Sequence, residues 1–227
     1  MRGVLSRGSL ATRLLRRVLP VLGAGLLAAG ATSSAPGGRD DALRPETALS
    51  DLLWSGDPVA APRIDQSGRV LAPSSLRDRV VVLSFVSTDC LITCVARTLA
   101  LADLTRDLPP DVRARTVVLA ASVAPDRDDV AALRRFAEGL RIDAGKLRLV
   151  TGTAAATAGV IAALRYPADR LPEPPPTVLV FDRRGQIAMT YGGDPLDVPR
   201  LRRDIAVLHS LEDGVGHPPR PAASAAP

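Results

Sequence analysis

Apolar and polar positions alternate along the chain in a way that separates strands from helices. Val80–Phe85 is a near-continuous apolar run, the pattern of a strand buried on both faces. Thr116–Val123 and Thr177–Phe181 read the same way, and Leu147–Val150 is a shorter version. Between these runs the period lengthens. Leu91, Val95, Leu99, Leu101 and Leu104 recur at helical spacing up to Pro109-Pro110, which should stop the helix. Asp128-Asp129 should cap a helix running to Leu140, and Thr153 one running to Leu164. Asp197, with Pro199 in the first turn, opens a last helix over about 198–211. Two hairpin signals complete the pattern. Asp65-Gln66-Ser67-Gly68 lies between short β-like pieces in Leu52–Leu76, and Asp182-Arg183-Arg184-Gly185 returns the chain into Gln186–Tyr191.

The predicted order is hairpin, β, α, β, α, β, α, β-hairpin, α. Early βαβ crossovers followed by a late antiparallel hairpin describe an α/β protein of thioredoxin-like plan with an N-terminal β-hairpin extension. This domain is expected to span residues 51–211. Residues 32–50, rich in Ser, Gly, Pro and charge, read as a linker, and 212–227 read as a disordered tail. No internal repeat is visible.

Charge changes the picture at the N-terminus. The net charge is +5, yet Arg2, Arg7, Arg13, Arg16 and Arg17 lie in the first 31 residues, which contain no acid. Without these five, 24 basic side chains face 24 acidic ones. The excess belongs to the terminus, and no basic patch with interleaved aromatics argues for nucleic acid. Residues 1–31 instead have the order of an export signal: an arginine-bearing start, an apolar stretch from Val18, then Ala29-Gly30-Ala31 as a small-x-small cleavage site. The two readings are a cleaved signal or an uncleaved membrane anchor. The apolar stretch is short for a span and Pro20 interrupts it. No cysteine is near enough for a lipoprotein. Export to the periplasm or an equivalent extracytoplasmic space implies oxidising conditions, in which cysteines pair.

The chain holds two cysteines, Cys90 and Cys94, directly after the Val80–Phe85 run. Four-residue spacing puts both on one helix face if the turn is helical, with Cα atoms about 6 Å apart. The pair can form a disulfide or converge on one soft ion such as Cu(I). A structural bridge closing so small a loop would stabilise little, and a position after a central strand favours chemistry. At a helix N-terminus Cys90 would be the nucleophile, with Cys94 resolving.

Several runs resemble the Sco/SenC family of exported thioredoxin-fold proteins: Ile64-Asp65-Gln66-Ser67-Gly68; Val80–Phe85 leading into Thr88-x-Cys90-x-x-x-Cys94; Ser122-Val123-Ala124-Pro125-Asp126-Arg127-Asp128; and Leu149-Val150-Thr151-Gly152-Thr153. The resemblance covers 64–208 and implies help in assembling the copper centre of cytochrome c oxidase. That help would be thiol reduction, Cu(I) delivery, or both, toward a cysteine-bearing exported partner such as an oxidase subunit. Cys90 and Cys94 are the implied copper ligands. The chain departs from the family's pattern at three places. Leu91 and Val95 stand where prolines are usual, and Ala124 replaces an acid. Near Pro174, where the family places a third ligand histidine, Leu171–Thr177 has none. The only histidines are His209 and His217, both read as ordinary surface residues. Met189 is a soft side chain but reads as core filling. Without the imidazole, copper binding is expected to be weakened, and to favour Cu(I) over Cu(II).

Pro176-Thr177 also resembles the Pro-Thr strand of thioredoxin-like oxidoreductases, which implies a cis proline whose backbone receives the partner chain opposite the cysteines; the other reading is a proline-rich loop entering a strand, with a trans bond. A general thiol–disulfide oxidoreductase is therefore the alternative function, and a degenerate partner-binding domain the non-catalytic one. No peroxidatic Pro-Thr-Cys pattern is present.

Overall fold

The structure is a computed structural model, and it describes residues 47–192 and 194–215. The export segment 1–31, most of the 32–50 linker, and His217 with the rest of the tail lie outside the described residues. In chain order the elements are α1 (Leu49–Trp54), β1 (Ile64–Asp65), β2 (Val80–Val86), α2 (Ile92–Ala102), α3 (Pro110–Ala114), β3 (Thr116–Ser122), α4 (Val130–Gly139), β4 (Arg148–Thr151), α5 (Ala154–Ala163), β5 (Thr177–Phe181), β6 (Ile187–Gly192) and α6 (Val198–Ser210). The strands form one sheet in the order β1-β4-β3-β2-β5-β6. β2, β3 and β4 run parallel, while β1, β5 and β6 are antiparallel to their neighbours. This is the mixed thioredoxin-like sheet expected from the order of elements.

All seven residues of β2 are buried. Because side chains alternate, Val80, Val82 and Val86 enter the core under α2, α3, α4 and α6, while Val81, Leu83 and Phe85 enter the core under α1 and α5. Each such aliphatic side chain contributes roughly 1.5–3 kcal/mol by leaving water. The caps are as expected: Asp129, Thr153 and Asp197 accept from the N–H groups of Ala132, Ala156 and Arg200.

The structure departs from the periodicity at four places. The periodicity does not indicate α1, because six residues carry too little pattern. Leu49, Leu52 and Leu53 nevertheless cover one face of the sheet, and the chain is already held by an Ala48–Gln186 bridge and a Leu49 N–H bond to Gly185. The N-terminal hairpin is present in short form: Ile64 bridges Val70, and β1 then pairs with β4. The helix expected over 91–108 stops at Ala102, and Pro110 opens α3 rather than ending a helix, since proline fits a first helical turn. Finally, the buried stripe of α2 is Cys94, Arg97, Thr98 and Leu101. Leu91 and Leu99, which the spacing assigned to the core, are exposed.

The edge at β4 is completed by polar side chains. Gln66 donates from its amide to Leu147 O (3.0 Å) and accepts from Leu149 N–H (2.9 Å), extending the ladder as a strand backbone would. Asp65, fully buried, accepts from Ser67 N–H (2.9 Å) and Arg69 N–H (3.0 Å) and pairs with Arg148 at 2.9 Å. Burial alone would raise its pKa, but the bonds from Arg69, Arg148 and Ser67 prevail and leave it lowered. Beside it, the Arg63 guanidinium is buried, bonds Leu53 O at 2.7 Å and Thr157 Oγ1 at 3.3 Å, and has its pKa lowered to about 10 by desolvation. Gly152 makes room for it, since a Cβ there would lie 2.7 Å from Arg63 Nη1.

Two predictions follow from this edge. Asp65→Asn should destabilise the protein by about 3 kcal/mol at pH 7, since it removes a buried carboxylate that holds Arg148 and two backbone N–H groups. Because the folded pKa is depressed, this stabilisation is complete above the unfolded value near 4 and disappears as pH falls through the lower folded value. Urea titrations between pH 7 and pH 2 should therefore show a shallower acid limb in the variant. Gly152→Ala should lower the midpoint of thermal unfolding, at a cost of about 1–3 kcal/mol for the overpacking against Arg63.

Candidate functional site

The last residue of β2 hands the chain to a short loop, Ser87-Thr88-Asp89-Cys90-Leu91, before α2 begins at Ile92. Cys90 N–H bonds Ser87 O at 3.0 Å, which tightens the loop, and Ser87 itself is fully buried. Leu91 is the N-cap and offers no side-chain acceptor, so the first-turn N–H groups of α2 have no capping side chain. Cys90 sits just before that helix end and Cys94 in its first turn. Their Cα atoms are 5.8 Å apart and the sulfurs are joined as a disulfide. Cys94 is buried, whereas Cys90 is half-buried and is the sulfur nearer solvent. Free N–H groups at a helix start favour a thiolate over a thiol once such a bond is reduced.

Between and beside the cysteines, Leu91 and Ile92 stand 74% and 85% exposed. Ile92, Thr93, Ala96 and Leu196 line a shallow groove of about 320 Å³ whose polar wall is the ion pair of Arg97 and Asp194.

Two buried charged groups, neither assigned to the site by the sequence, brace this end of the sheet. Arg97 stands nearly one turn after Cys94 on the buried stripe of α2. It binds Asp194 at 2.8 Å and donates to Pro175 O at 3.3 Å. Asp128 was expected to share the capping of α4 with Asp129, but Asp129 does that alone. Asp128 turns inward, where Thr88 Oγ1 (2.5 Å) and Ser122 Oγ (2.6 Å) donate to it. An arginine on a predicted core stripe was the available signal for the first. A second acid directly before a cap was the signal for the other.

β5 is antiparallel to β2 and pairs Leu179 with Leu83, so its start lies at the end of the sheet where the cysteine loop leaves. The proline run before it therefore lies at the dithiol end. Pro174 and Pro175 are buried, and the carbonyl drawn onto α2 is that of Pro175. Pro176 is exposed, and its peptide bond is not cis. Among the described residues the cis bonds are Leu171-Pro172 and Asp194-Pro195. The cis geometry implied for Pro176 is thus corrected: the bond is trans, with Arg97 holding the carbonyl that precedes Pro176.

The candidate third donors are elsewhere. His209 O accepts from Arg183, which follows the β5 residue paired with Val81 at the start of β2. That is the opposite end of the sheet, about 20 Å along the strand from the cysteines. His209 is also less exposed than an ordinary surface residue, with its Nε2 3.4 Å from Asp111. Met189 pairs with Val180, which is level with Val82 in mid-sheet, and packs against the core. Among the described residues no group of three or more His, Cys, Asp or Glu side chains is placed to hold a metal ion. The donor set at the loop is the two sulfurs. Reduced, they fit linear Cu(I) and lack the imidazole that suits Cu(II).

A search of the curated proteins found no match. Solved structures match well in fold. A SCO1/SenC family lipoprotein from Bacillus anthracis str. Ames gives a TM-score of 0.56 at 20% identity, covering 65% of this chain and 91% of its own. ScoI of Bradyrhizobium japonicum with copper bound gives 0.53 at 19%, covering 65% and 96%. BsSco, a member of the Sco family of cytochrome c oxidase assembly proteins, gives 0.54 at 17%, covering 66% and 91%. At these identities the likeness establishes the fold. The family is established by sequence, since the SCO1/SenC family model matches residues 63–195, more than half the chain. With its dithiol loop on a thioredoxin-like sheet, this chain belongs to the SCO1/SenC family.

Proposed function

We propose that this chain is an exported dithiol protein that assists assembly of the copper centre of cytochrome c oxidase. Cys90 and Cys94 are its working groups. The carrying observation is their placement: bonded to each other at the start of α2, one sulfur half-buried and the other buried, in a member of the SCO1/SenC family. Relatives of the same fold include one with copper bound and one described by a disulfide switch.

In the reduced state the Cys90 thiolate attacks one sulfur of a partner disulfide, and the partner's other sulfur leaves as thiolate. Cys94 thiolate then attacks Cys90, closing the Cys90–Cys94 disulfide and freeing the partner's second thiolate. Two electrons pass to the partner, and an extracytoplasmic dithiol reductant must restore them. Reduced Cys90 and Cys94 also hold Cu(I) as cargo, in a two-sulfur site that exchanges readily with a partner's thiolates. The partner is a cysteine-bearing exported protein of the oxidase-subunit kind. Residues 1–31 supply export, by a cleaved signal or a retained anchor. Among the described residues no helix is long and apolar enough to cross a membrane. The general oxidoreductase reading loses its main support, because Pro176 is exposed and not cis.

Cys90→Ser and Cys94→Ser should each abolish reduction of a model protein disulfide, and limited alkylation of the reduced protein should label Cys90 first in peptide maps. Retained exchange in either variant contradicts the assignment. Titrated with copper, the reduced protein should take up one Cu(I) per dithiol and lose it in the double variant. Cu(II) should bind weakly. Tight, stoichiometric Cu(II) would mean that a further donor completes the site.

A further inference from the structure

We propose that Asp128 is a positioning residue for the Cys90–Cys94 couple, acting through Thr88. The proposal rests on the dithiol reading above.

Asp128 is 1% exposed, and three of its bonds leave its own segment. Thr88 Oγ1 donates to Oδ1 at 2.5 Å, Thr88 N–H lies 3.3 Å from both carboxylate oxygens, and Ser122 Oγ donates to Oδ2 at 2.6 Å. Ser122 is the last residue of β3, and its Oγ also accepts from Ala124 N–H at 3.0 Å. One buried side chain therefore ties the entrance of α4, the end of β3 and the loop two residues before Cys90. Among the described residues no arginine or lysine is paired with it; its partners are hydroxyls and a backbone N–H.

An ordinary role in helix capping does not account for this. Asp129 accepts from Ala132 N–H at 2.7 Å and caps α4 without Asp128. A second tie between the same segments exists, the Arg127–Asp89 pair at 2.6 Å, but both side chains are more than half exposed. Exposed pairs of this kind contribute about 0–1 kcal/mol. Buried bonds to a carboxylate are roughly twice as strong as neutral ones, and stranding such a group is costly. The loop's position is thus set mainly by Asp128.

The consequence falls on the redox equilibrium. Cys90 precedes the helix and is not held by it, whereas Cys94 is fixed within the first turn. Disulfide closure depends on the effective concentration of one sulfur at the other. Fixing Thr88 restricts Cys90 to the region of Cys94 and favours the oxidised form over the dithiol.

The test is glutathione equilibration of the full chain, in which the Cys90–Cys94 disulfide and two glutathione thiols exchange with the dithiol and one glutathione disulfide. Asp128→Ala and Thr88→Val should each make the disulfide easier to reduce, by about tenfold for the first, equivalent to about 30 mV for a two-electron couple. The double variant should shift no further than Asp128→Ala alone, because both changes break one connection. Asp65→Asn, a buried carboxylate lost at the far edge of the sheet, should leave the equilibrium unchanged. If Asp128→Ala does not fold, Thr88→Val retains the carboxylate and must still shift the equilibrium. An unshifted Thr88→Val, additive single effects, or an equal shift in Asp65→Asn overturns the proposal. A wild-type disulfide inert to glutathione would refute the dithiol reading itself, and this proposal with it.

Discussion

Strand β2 is hydrogen-bonded on both edges and buried on both faces, and the position of everything functional follows from that. Its parallel pairing with β3 spans seven residues, from Val80–Thr116 to Val86–Ser122. Its antiparallel pairing with β5 brings Leu83 opposite Leu179. The first pairing sets the end of β3, with Ser122, level with the exit of β2. The second places the start of β5, with the proline run, at that same end. A slip of one residue would turn Val80, Val82 and Val86 into the wrong core, so the register is strongly specified. The cysteine loop inherits a fixed point of departure without contributing to it.

The chemistry at that point then depends on polar groups that the apolar core does not supply. Burying a charged side chain costs several kcal/mol unless its bonds are replaced. Asp65, Arg97 and Asp128 each recover that cost by joining segments distant in sequence: β1 to β4, α2 to the Asp194 loop and the proline run, the cysteine loop to β3. Arg63 does the same between α1 and α5, with no carboxylate and with a pKa lowered by desolvation. Arg97 and Asp128 act where loops, not strands or helices, must hold position. In such segments backbone ladders give no support, and a directional side-chain bond is the remaining means of fixing geometry.

How much of this was legible in the sequence depends on the range of the determinant. β2, β3 and β5 announce themselves through their own residues, as do the caps Asp129, Thr153 and Asp197, since strand periodicity and capping are local. The dithiol is equally plain from spacing and from its place after β2. By contrast, α1 is stable only because Leu49, Leu52 and Leu53 meet the sheet and Ala48 meets Gln186. The outward turn of Leu91 and Leu99 is decided by what else packs on the sheet, and Cys94, Arg97 and Leu101 took that face. Asp128 looked like a cap because its partners, Thr88 and Ser122, are recognisable only once β2 and β3 are paired. The Pro176 expectation rested on a two-residue resemblance, and the bond from Arg97 to the preceding carbonyl cannot be read from those two residues.

The same packing bears on why two sulfurs stand without a third ligand. The proline run, where the family's pattern places a histidine, is drawn onto α2 through the Pro175 carbonyl, and Pro174 is buried. Pro174 is thus packed away from solvent, and Arg97, fixed by Asp194, occupies the buried stripe of α2. The chain keeps the fold of its family, and the proline run before β5 serves packing against α2. On the function proposed above, two sulfurs alone would favour Cu(I), and the thiol–disulfide equilibrium is the property that the surrounding structure can tune.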